Sequence, residues 1–292
     1  MELEKGVQRW VVNIARWDPS PDYFAFLVSV LPCHHHHSIT RYLKMEDRKR
    51  ALVSRLLQYA LVHQVCGLPF SRITIERTDE GKPYLLEYDD ATLGLPNLNF
   101  SVSHHGDYVA IASEPVCIVG LDIVTHIVPG EDKAEEFINN FESYFSHFEW
   151  SQITSVASCN EMLREFFRYW CLKESFVKAI GTGVGYRLDN VEFHHEAWEN
   201  ISVNVDGQEL KDWKFRLIEL DNVHTMAVAR GHPRMASANY KRTLKKIEFV
   251  EEVYRHGLHL PDPNFNLRTV EDLLLCLEIT QASGSMENRN TF

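Results

Sequence analysis

The chain carries the same long pattern twice: a helical segment closed by a glycine, entered from a strand and followed by more strands. In the first copy, Glu46 to Cys66, the residues Leu52, Leu56, Tyr59 (or Ala60) and His63 recur at helical spacing and Gly67 ends the run. In the second, Leu163 to Ile180 runs into Gly181. An amphipathic helix must bury its apolar stripe against another layer, and the alternating segments around each copy supply one. Before the first helix, Val7 to Trp17 and Tyr23 to Leu31 are predicted strands around the turn Asp18-Pro19-Ser20-Pro21. After it come a strand at Ile73 to Arg77 and a hairpin of Asn97 to His104 with Tyr108 to Ser113. The second copy is predicted to hold a strand at Val119 to Val124, a helical region at Glu131 to Phe148 and the long helix. Strands then follow at Asn190 to His194, Ile201 to Val205, Trp213 to Leu220 and His224 to Ala229. The expected fold is a pseudo-duplicated α+β protein with halves 1–117 and 118–232 and the ligand cleft between them.

Residues 233–292 differ in character. Lys241, Arg242, Lys245 and Lys246 form a basic cluster, Val270 to Ile279 is predicted to be one short helix, and the last dozen residues are polar. This part is expected to be an appendage, disordered at its end. The internal run His34-His35-His36-His37 is expected in a solvated loop, with metal binding as the alternative.

Composition narrows what the cleft can hold. The chain has 292 residues, 45% hydrophobic and 24% charged, in the globular range. Its formal net charge of −11 opposes general nucleic-acid or membrane-surface binding, but leaves room for a local basic pocket around a small phosphorylated ligand. The segment Met1 to Gly6 has no apolar core of a signal peptide, and the longest apolar stretch, Tyr23 to Leu31, is far below the roughly 20 residues that span a bilayer. The 6 cysteines are scattered without a C-x-x-C pair, so neither a disulfide framework nor a zinc site is indicated. A reduced, cytosolic protein is expected.

Four local signals carry chemistry. Glu174 and Lys178 sit four residues apart on one helix face, with Trp170 one turn earlier. They can hold a divalent metal and a phosphate, or they can be a surface ion pair stabilising the helix by about 0.3–0.5 kcal/mol. In Val119-Gly120-Leu121-Asp122-Ile123 an aspartate is set among apolar strand residues, which costs several kcal/mol unless it meets a cation or strong donors; a Mg²⁺ ligand is one answer. Ser103-His104-His105-Gly106 places two histidines in a turn, either as polar loop residues or against phosphate or metal. Gly81-Lys82-Pro83 is a rigid turn presenting a lysine, or simply a solvated turn. Together they supply what phosphoryl chemistry on a pyrophosphate requires: hard oxygen ligands for Mg²⁺ and cationic donors to the phosphates.

Ser103-His104-His105-Gly106-Asp107-Tyr108, Val119 to Ile123, and Trp170-x-x-Lys173-Glu174-x-x-x-Lys178-x-x-Gly181, in that order and spacing, resemble the signature of Sfp-type 4′-phosphopantetheinyl transferases. The likeness covers roughly residues 8 to 230 and includes Glu76-Arg77-Thr78-x-x-Gly81-Lys82-Pro83 and the stretch Leu172 to Tyr186. It implies transfer of the phosphopantetheine arm of coenzyme A to a serine hydroxyl of an apo acyl- or peptidyl-carrier domain, releasing adenosine 3′,5′-bisphosphate. Lysine metabolism and fatty acid synthesis are the settings it suggests. Carried over by residue, Asp122 and Glu174 are the Mg²⁺ ligands, with His105 at the position of a third. Lys178 neutralises the leaving group and contacts the phosphate, His104 hydrogen-bonds the coenzyme phosphates, and Ser103 lies near the pyrophosphate. Arg77, Gly81, Lys82 and Pro83 line the adenosine and 3′-phosphate pocket, and Arg41 is a weaker match for a 3′-phosphate contact. Glu174, or a water on the metal, accepts the serine proton. The resemblance also implies a monomer acting on carrier domains and coenzyme A, without nucleic acid or membrane.

Two positions depart from the family pattern. His105 replaces a glutamine whose oxygen coordinates the metal in the animal members, and imidazole is a softer ligand that suits Mg²⁺ poorly. Either it acts through water, or Mn²⁺ is preferred, or Asp122 and Glu174 suffice. Val124 stands where bacterial members carry a second carboxylate, as in the animal group. The doubled length argues against the shorter, single-half synthases. The reading from another class is a non-catalytic relative that binds coenzyme A or a carrier; the joint presence of Asp122, Glu174 and Lys178 argues for the enzyme.

Overall fold

A computed structural model describes residues 3–88, 93–128, 134–248 and 250–275. The first half opens on strand β1 (Gln8–Asn13). The apolar run Tyr23 to Leu31, expected as a strand, belongs instead to helix α1 (Pro21–Val30). The Ser20 hydroxyl accepts from the Tyr23 amide at 3.2 Å, Pro21 occupies the first turn, and Phe24, Leu27 and Val28 face the core. The helical period is hidden in the sequence because Tyr23 and Val30 at the edges of that face and the exposed Phe26 are apolar too. The histidine run is likewise helical, in α2 (Cys33–Thr40), rather than in a loop. His36 Nε2 lies 2.8 Å from the Leu31 carbonyl and His35 Nε2 lies 3.1 Å from the Tyr59 hydroxyl. Helix α3 (Met45–Cys66) ends at Gly67, whose φ of 71° is the left-handed cap that glycine adopts without strain. Two hairpins follow, β2 (Ile75–Arg77) with β3 (Pro83–Leu85) and β4 (Asn99–His105) with β5 (Tyr108–Glu114). Strands β1, β5 and β4 form an antiparallel sheet, with Trp10 opposite Ile111 and His104 opposite Val109. Leu52, Leu56 and Tyr59 of α3 share one core with Trp10, Phe100 and Ile111 of that sheet.

The second half begins with β6 (Ile118–Thr125), buried along its length. Of the helical region expected from Glu131, residues 131–133 lie outside the described residues. The rest is broken into α4 (Ala134–Asn139), a 3₁₀ turn at Glu142–Tyr144 and α5 (His147–Thr154). Ser146 and Glu149 cap α5 reciprocally, which sets its start. Helix α6 (Cys159–Ile180) ends at Gly181 (φ 69°). Strands β7 (Val191–Glu196), β8 (Glu199–Val205) and β9 (Gln208–Glu209) form one sheet. Strands β10 (Trp213–Glu219) and β11 (His224–Gly231) join β6 in the order β10-β11-β6. Helix α6 lies directly on β6 at Gly120, where a Cβ would stand 1.9 Å from the Ser175 carbonyl oxygen and 2.4 Å from the Ala179 nitrogen.

The halves meet along β4 and β6, which belong to different sheets. Alternate side chains of β4 stand in for a strand partner. Asn99 Oδ1 accepts from the Val119 amide at 3.0 Å, Ser101 Oγ from Leu121 at 3.1 Å and Ser103 Oγ from Ile123 at 3.3 Å. The period of two along a strand puts these three side chains on the seam and Phe100 in the core.

The segment after Pro233, expected as an appendage, packs on both halves as far as it is described. It forms α7 (Ala238–Lys241), α8 (Glu251–Leu258), strand β12 (Asn266–Leu267) and a helical stretch at 270–275. Strand β12 pairs in parallel with β1, while Val270 and Leu273 enter the first core and Tyr240 the second. Arg9, Glu114, Arg230 and Asp262 form a charge network tying both halves to this segment. Arg9 pairs with Glu114 and with Asp262 at 2.9 Å, and Arg230 Nε lies 2.8 Å from Glu114. The end of the helix expected to reach Ile279, and the polar last dozen residues, lie outside the described residues. Among the described residues no helix is long and apolar enough to cross a membrane.

Candidate active site

Asp122 points from β6 into the seam and is 6% exposed. Ser103 donates its hydroxyl to Asp122 Oδ1 at 3.0 Å. From α6, Lys178 Nζ donates to the same oxygen at 2.5 Å and to Ser103 Oγ at 2.9 Å. The lysine thus bonds the strand carboxylate instead of closing an ion pair with Glu174 one turn before it. Burial pushes the Glu174 carboxyl up, the Asp122 charge adds to this, and Lys178 opposes it. Burial alone would pull Lys178 down, but its bond to Asp122 and the nearby Glu174 outweigh that and raise it.

Two acceptor-only carboxylates held against one ammonium leave an uncompensated negative charge, and a hard divalent cation relieves it. Asp122 and Glu174 therefore fit Mg²⁺. The three-ligand set with His105 is not assembled: among the described residues no three His, Cys, Asp or Glu side chains form a group able to hold a metal. His105 lies in an adjoining hollow with Lys44, Arg50 and His224, feeling the Asp122 charge from there. Burial lowers His105, and it lowers His104 to about 4, with Lys178 and Arg50 adding to the latter, so His104 is neutral at pH 7.

Lys178 stands where two hollows meet. A cleft of about 640 Å³ runs along α6, walled by Phe141, Tyr144, Trp170 and Tyr186 and floored by Gly81, Lys82 and Pro83 from the first half. A groove of about 270 Å³ on the other side is lined by Arg41, Arg55, Arg77, Ser103 and His104. Arg77, Val102 and Lys178 border both. Burial and the Arg55 charge hold Arg77 down to about 10, so this groove concentrates like charges that an anion would relieve.

Of the candidates from the sequence, Arg41, Arg77, Gly81, Lys82, Pro83, Ser103, His104, Glu174 and Lys178 line this connected space; Asp122 lies behind it, bonded to Ser103 and Lys178, and His105 faces the adjoining hollow. Lys82 lines it without offering its charge: its Nζ donates to the Val119 and Lys178 carbonyls at 2.6 and 2.8 Å. Lys173, next to Glu174 in the motif, is also structural. It is fully buried, 2.7 Å from the equally buried Glu149, and bonds the Leu188 and Val191 carbonyls. Sequence reasoning missed Arg55 and the aromatic wall. Arg55 lies between Leu52 and Leu56 in a helix read for its apolar stripe, and Phe141 and Tyr144 lie in a region read only as helical.

Residues 15–116 match the family model for the N-terminal part of 4′-phosphopantetheinyl transferases, and residues 118–229 match that of the 4′-phosphopantetheinyl transferase superfamily. The chain belongs to this family of transferases. It is similar to the L-aminoadipate-semialdehyde dehydrogenase-phosphopantetheinyl transferases of Rattus norvegicus and Homo sapiens, each 34% identical over 233 residues, spanning 77% of this chain and 75% of the relative. A phosphopantetheinyl transferase of Thraustochytrium is 32% identical over 233 residues, spanning 78% of this chain and 79% of its own. The two family matches abut where β5 gives way to β6, and the mixed, pseudo-duplicated architecture is that of the family.

Proposed function

We propose that this chain transfers the 4′-phosphopantetheine of coenzyme A to a serine hydroxyl of an apo acyl- or peptidyl-carrier domain. The observation that carries the reading is the Asp122–Glu174–Lys178 cluster at the junction of a cationic groove and an apolar cleft. A coenzyme A molecule has that same division: a phosphorylated nucleotide, a pyrophosphate and a long arm of low charge. The arginines Arg41, Arg55 and Arg77 suit the 3′-phosphate, and Gly81 and Pro83 suit the adenosine edge. Neutral His104 and Ser103 suit the pyrophosphate oxygens, and the wall of Phe141, Tyr144 and Trp170 suits the arm.

In the reaction the serine oxygen bonds to the phosphorus that carries the pantetheine arm. The bond from that phosphorus to the bridging oxygen breaks, and adenosine 3′,5′-bisphosphate leaves. Glu174, whose carboxyl burial and the Asp122 charge push up, accepts the serine proton. Lys178 holds its ammonium charge at neutral pH and offsets the charge that builds on the leaving phosphate. Mg²⁺ held by Asp122 and Glu174 would neutralise the pyrophosphate and align its oxygens. His105 faces the adjoining hollow, feels the Asp122 charge from there and, among the described residues, forms no three-ligand group with the two carboxylates. A monomer in the cytosol is the setting we propose, in keeping with described cysteines that are all free thiols.

Incubation with coenzyme A, Mg²⁺ and an apo carrier domain tests this. The carrier should gain the mass of one phosphopantetheine. Tight coenzyme A binding without any gain across a panel of apo carriers would identify a non-catalytic binder instead.

A further inference from the structure

The Gly81-Lys82-Pro83 turn brings a lysine of the first half to the cleft floor, yet its ammonium faces the protein. Lys82 is 6% exposed, and both carbonyls it bonds belong to the second half. Each of them lacks the partner that regular structure would give. The Val119 carbonyl lies on the edge of β6 where β4 side chains replace a strand ladder. The Lys178 carbonyl belongs to the last turn of α6, whose final carbonyls have no helical donor, and a cation is favoured at that end of a helix.

The C-terminal segment closes over this point. The ring of Tyr240 lies 5.1 Å from Lys82 Nζ, and its hydroxyl donates to Asn99 Oδ1 at 3.1 Å, the same oxygen that accepts from the Val119 amide. The Ser237 amide donates to the Ile180 carbonyl at 2.7 Å, and its hydroxyl donates to the Gly181 carbonyl at 2.9 Å. Asn239 reaches back to Glu80 at 2.8 Å. Three segments remote in sequence thus converge on the end of the helix that carries Glu174 and Lys178. Burial, with the Lys178 charge adding, pushes Lys82 down to about 7, which makes it a poor field source for a phosphate.

We propose that Lys82 is a positioning residue: with Tyr240 and Ser237 it fixes the spacing between the strand bearing Asp122 and the helix bearing Glu174 and Lys178, and it contacts no phosphate of the coenzyme. This rests on the transferase reading above and deepens it. The Lys178–Asp122 bond depends on where β6 and α6 stand relative to each other, and a displacement of about 1 Å in such a site costs about a hundredfold in rate.

The test separates rate from affinity in folded Lys82→Met and Tyr240→Leu variants, measuring transfer at saturating coenzyme A and calorimetric Kd for coenzyme A and 3′-dephospho-coenzyme A. The saturated rate should fall about tenfold or more while the Kd for coenzyme A stays within about threefold and the ratio of the two Kd values is unchanged. A Kd weakened about tenfold with a ratio collapsing toward one and the rate retained would overturn the proposal, as would an unchanged rate with unchanged Kd. If Lys82→Met does not fold, Lys82→Arg, whose planar fork cannot reproduce the lysine's two bonds, is read against the same two outcomes. A wild-type protein that binds coenzyme A but modifies no carrier defeats the transferase reading; the Kd ratio in Lys82→Met then decides whether Lys82 contacts a phosphate, a ratio collapsing toward one overturning the proposal and an unchanged ratio upholding that part of it.

Discussion

Lys178 lies within reach of two carboxylates and bonds the one on the strand, so at Glu174 its charge only partly offsets the burial and the Asp122 charge that raise that carboxyl. A carboxyl raised on folding stabilises the folded chain below its unfolded value, and that contribution is lost as pH rises through the higher folded value. The unliganded protein therefore loses stability over that window, and a cation between the carboxylates should restore it. Mg²⁺ is expected to raise the thermal midpoint at pH 7, less so as pH falls through the Glu174 titration, and Glu174→Gln should abolish the response. Thermal unfolding against pH, with and without Mg²⁺, reads all three; a Mg²⁺ shift that survives in Glu174→Gln would place the metal elsewhere. At His105 the expectation runs the other way. Because it lies outside the carboxylate pair, His105→Gln should keep or raise Mg²⁺-supported transfer, measured as carrier mass, and complete loss would give the histidine a task of its own.

The elements that the sequence made legible are those with clear local boundaries. The hairpin β4–β5 turns at Gly106, β6 is an apolar run interrupted by Asp122, and both long helices close at a left-handed glycine, Gly67 or Gly181. Helix α1 was misread because apolar residues lie all round it, Tyr23 and Val30 half-buried against the core and Phe26 exposed, so no period stood out. The roles of Lys82 and Lys173 were out of reach for another reason. Whether an ammonium faces a ligand or the protein depends on carbonyls remote in sequence, 37 and 96 positions away for Lys82. Gly120 belongs to the same class: only the closeness of α6 explains it. Gly120→Ala should push α6 off β6 and cost about 1–3 kcal/mol in urea unfolding, with lowered transfer. A stability within error of wild type would mean that the two elements separate freely. In α2, burial lowers His35 to about 4, with His34, Arg55 and Arg77 adding to it. The unfolded chain binds that proton more readily, so stability should fall as pH drops from about 6.5 to 4. His35→Gln should flatten the curve in that window, and an unchanged slope would assign the loss to other groups.

Across the whole molecule, the segment after Pro233 is where local sequence cues were least informative. Its basic cluster and polar end suggested an appendage, while its contacts, Asp262 with Arg9 and Tyr240 with Asn99, span the length of the chain and leave no local signature. A chain ending at His232 strips Asp262 from the buried Arg9–Glu114–Arg230 network. It is expected to lose at least about 3 kcal/mol in denaturant unfolding, the cost of leaving a buried charge unpaired. Equal stability of the short and full chains would return the segment to an appendage. The central claim is that two halves, joined along β4 and β6, place Asp122, Glu174 and Lys178 around one pyrophosphate. Its most direct test counts adenosine 3′,5′-bisphosphate released against carrier mass gained, for the wild type and for folded Glu174→Ala and Lys178→Ala. The account predicts one product per modified carrier in the wild type and a loss on the order of 10²–10³-fold or more in each variant. Near-normal turnover by either variant would contradict it.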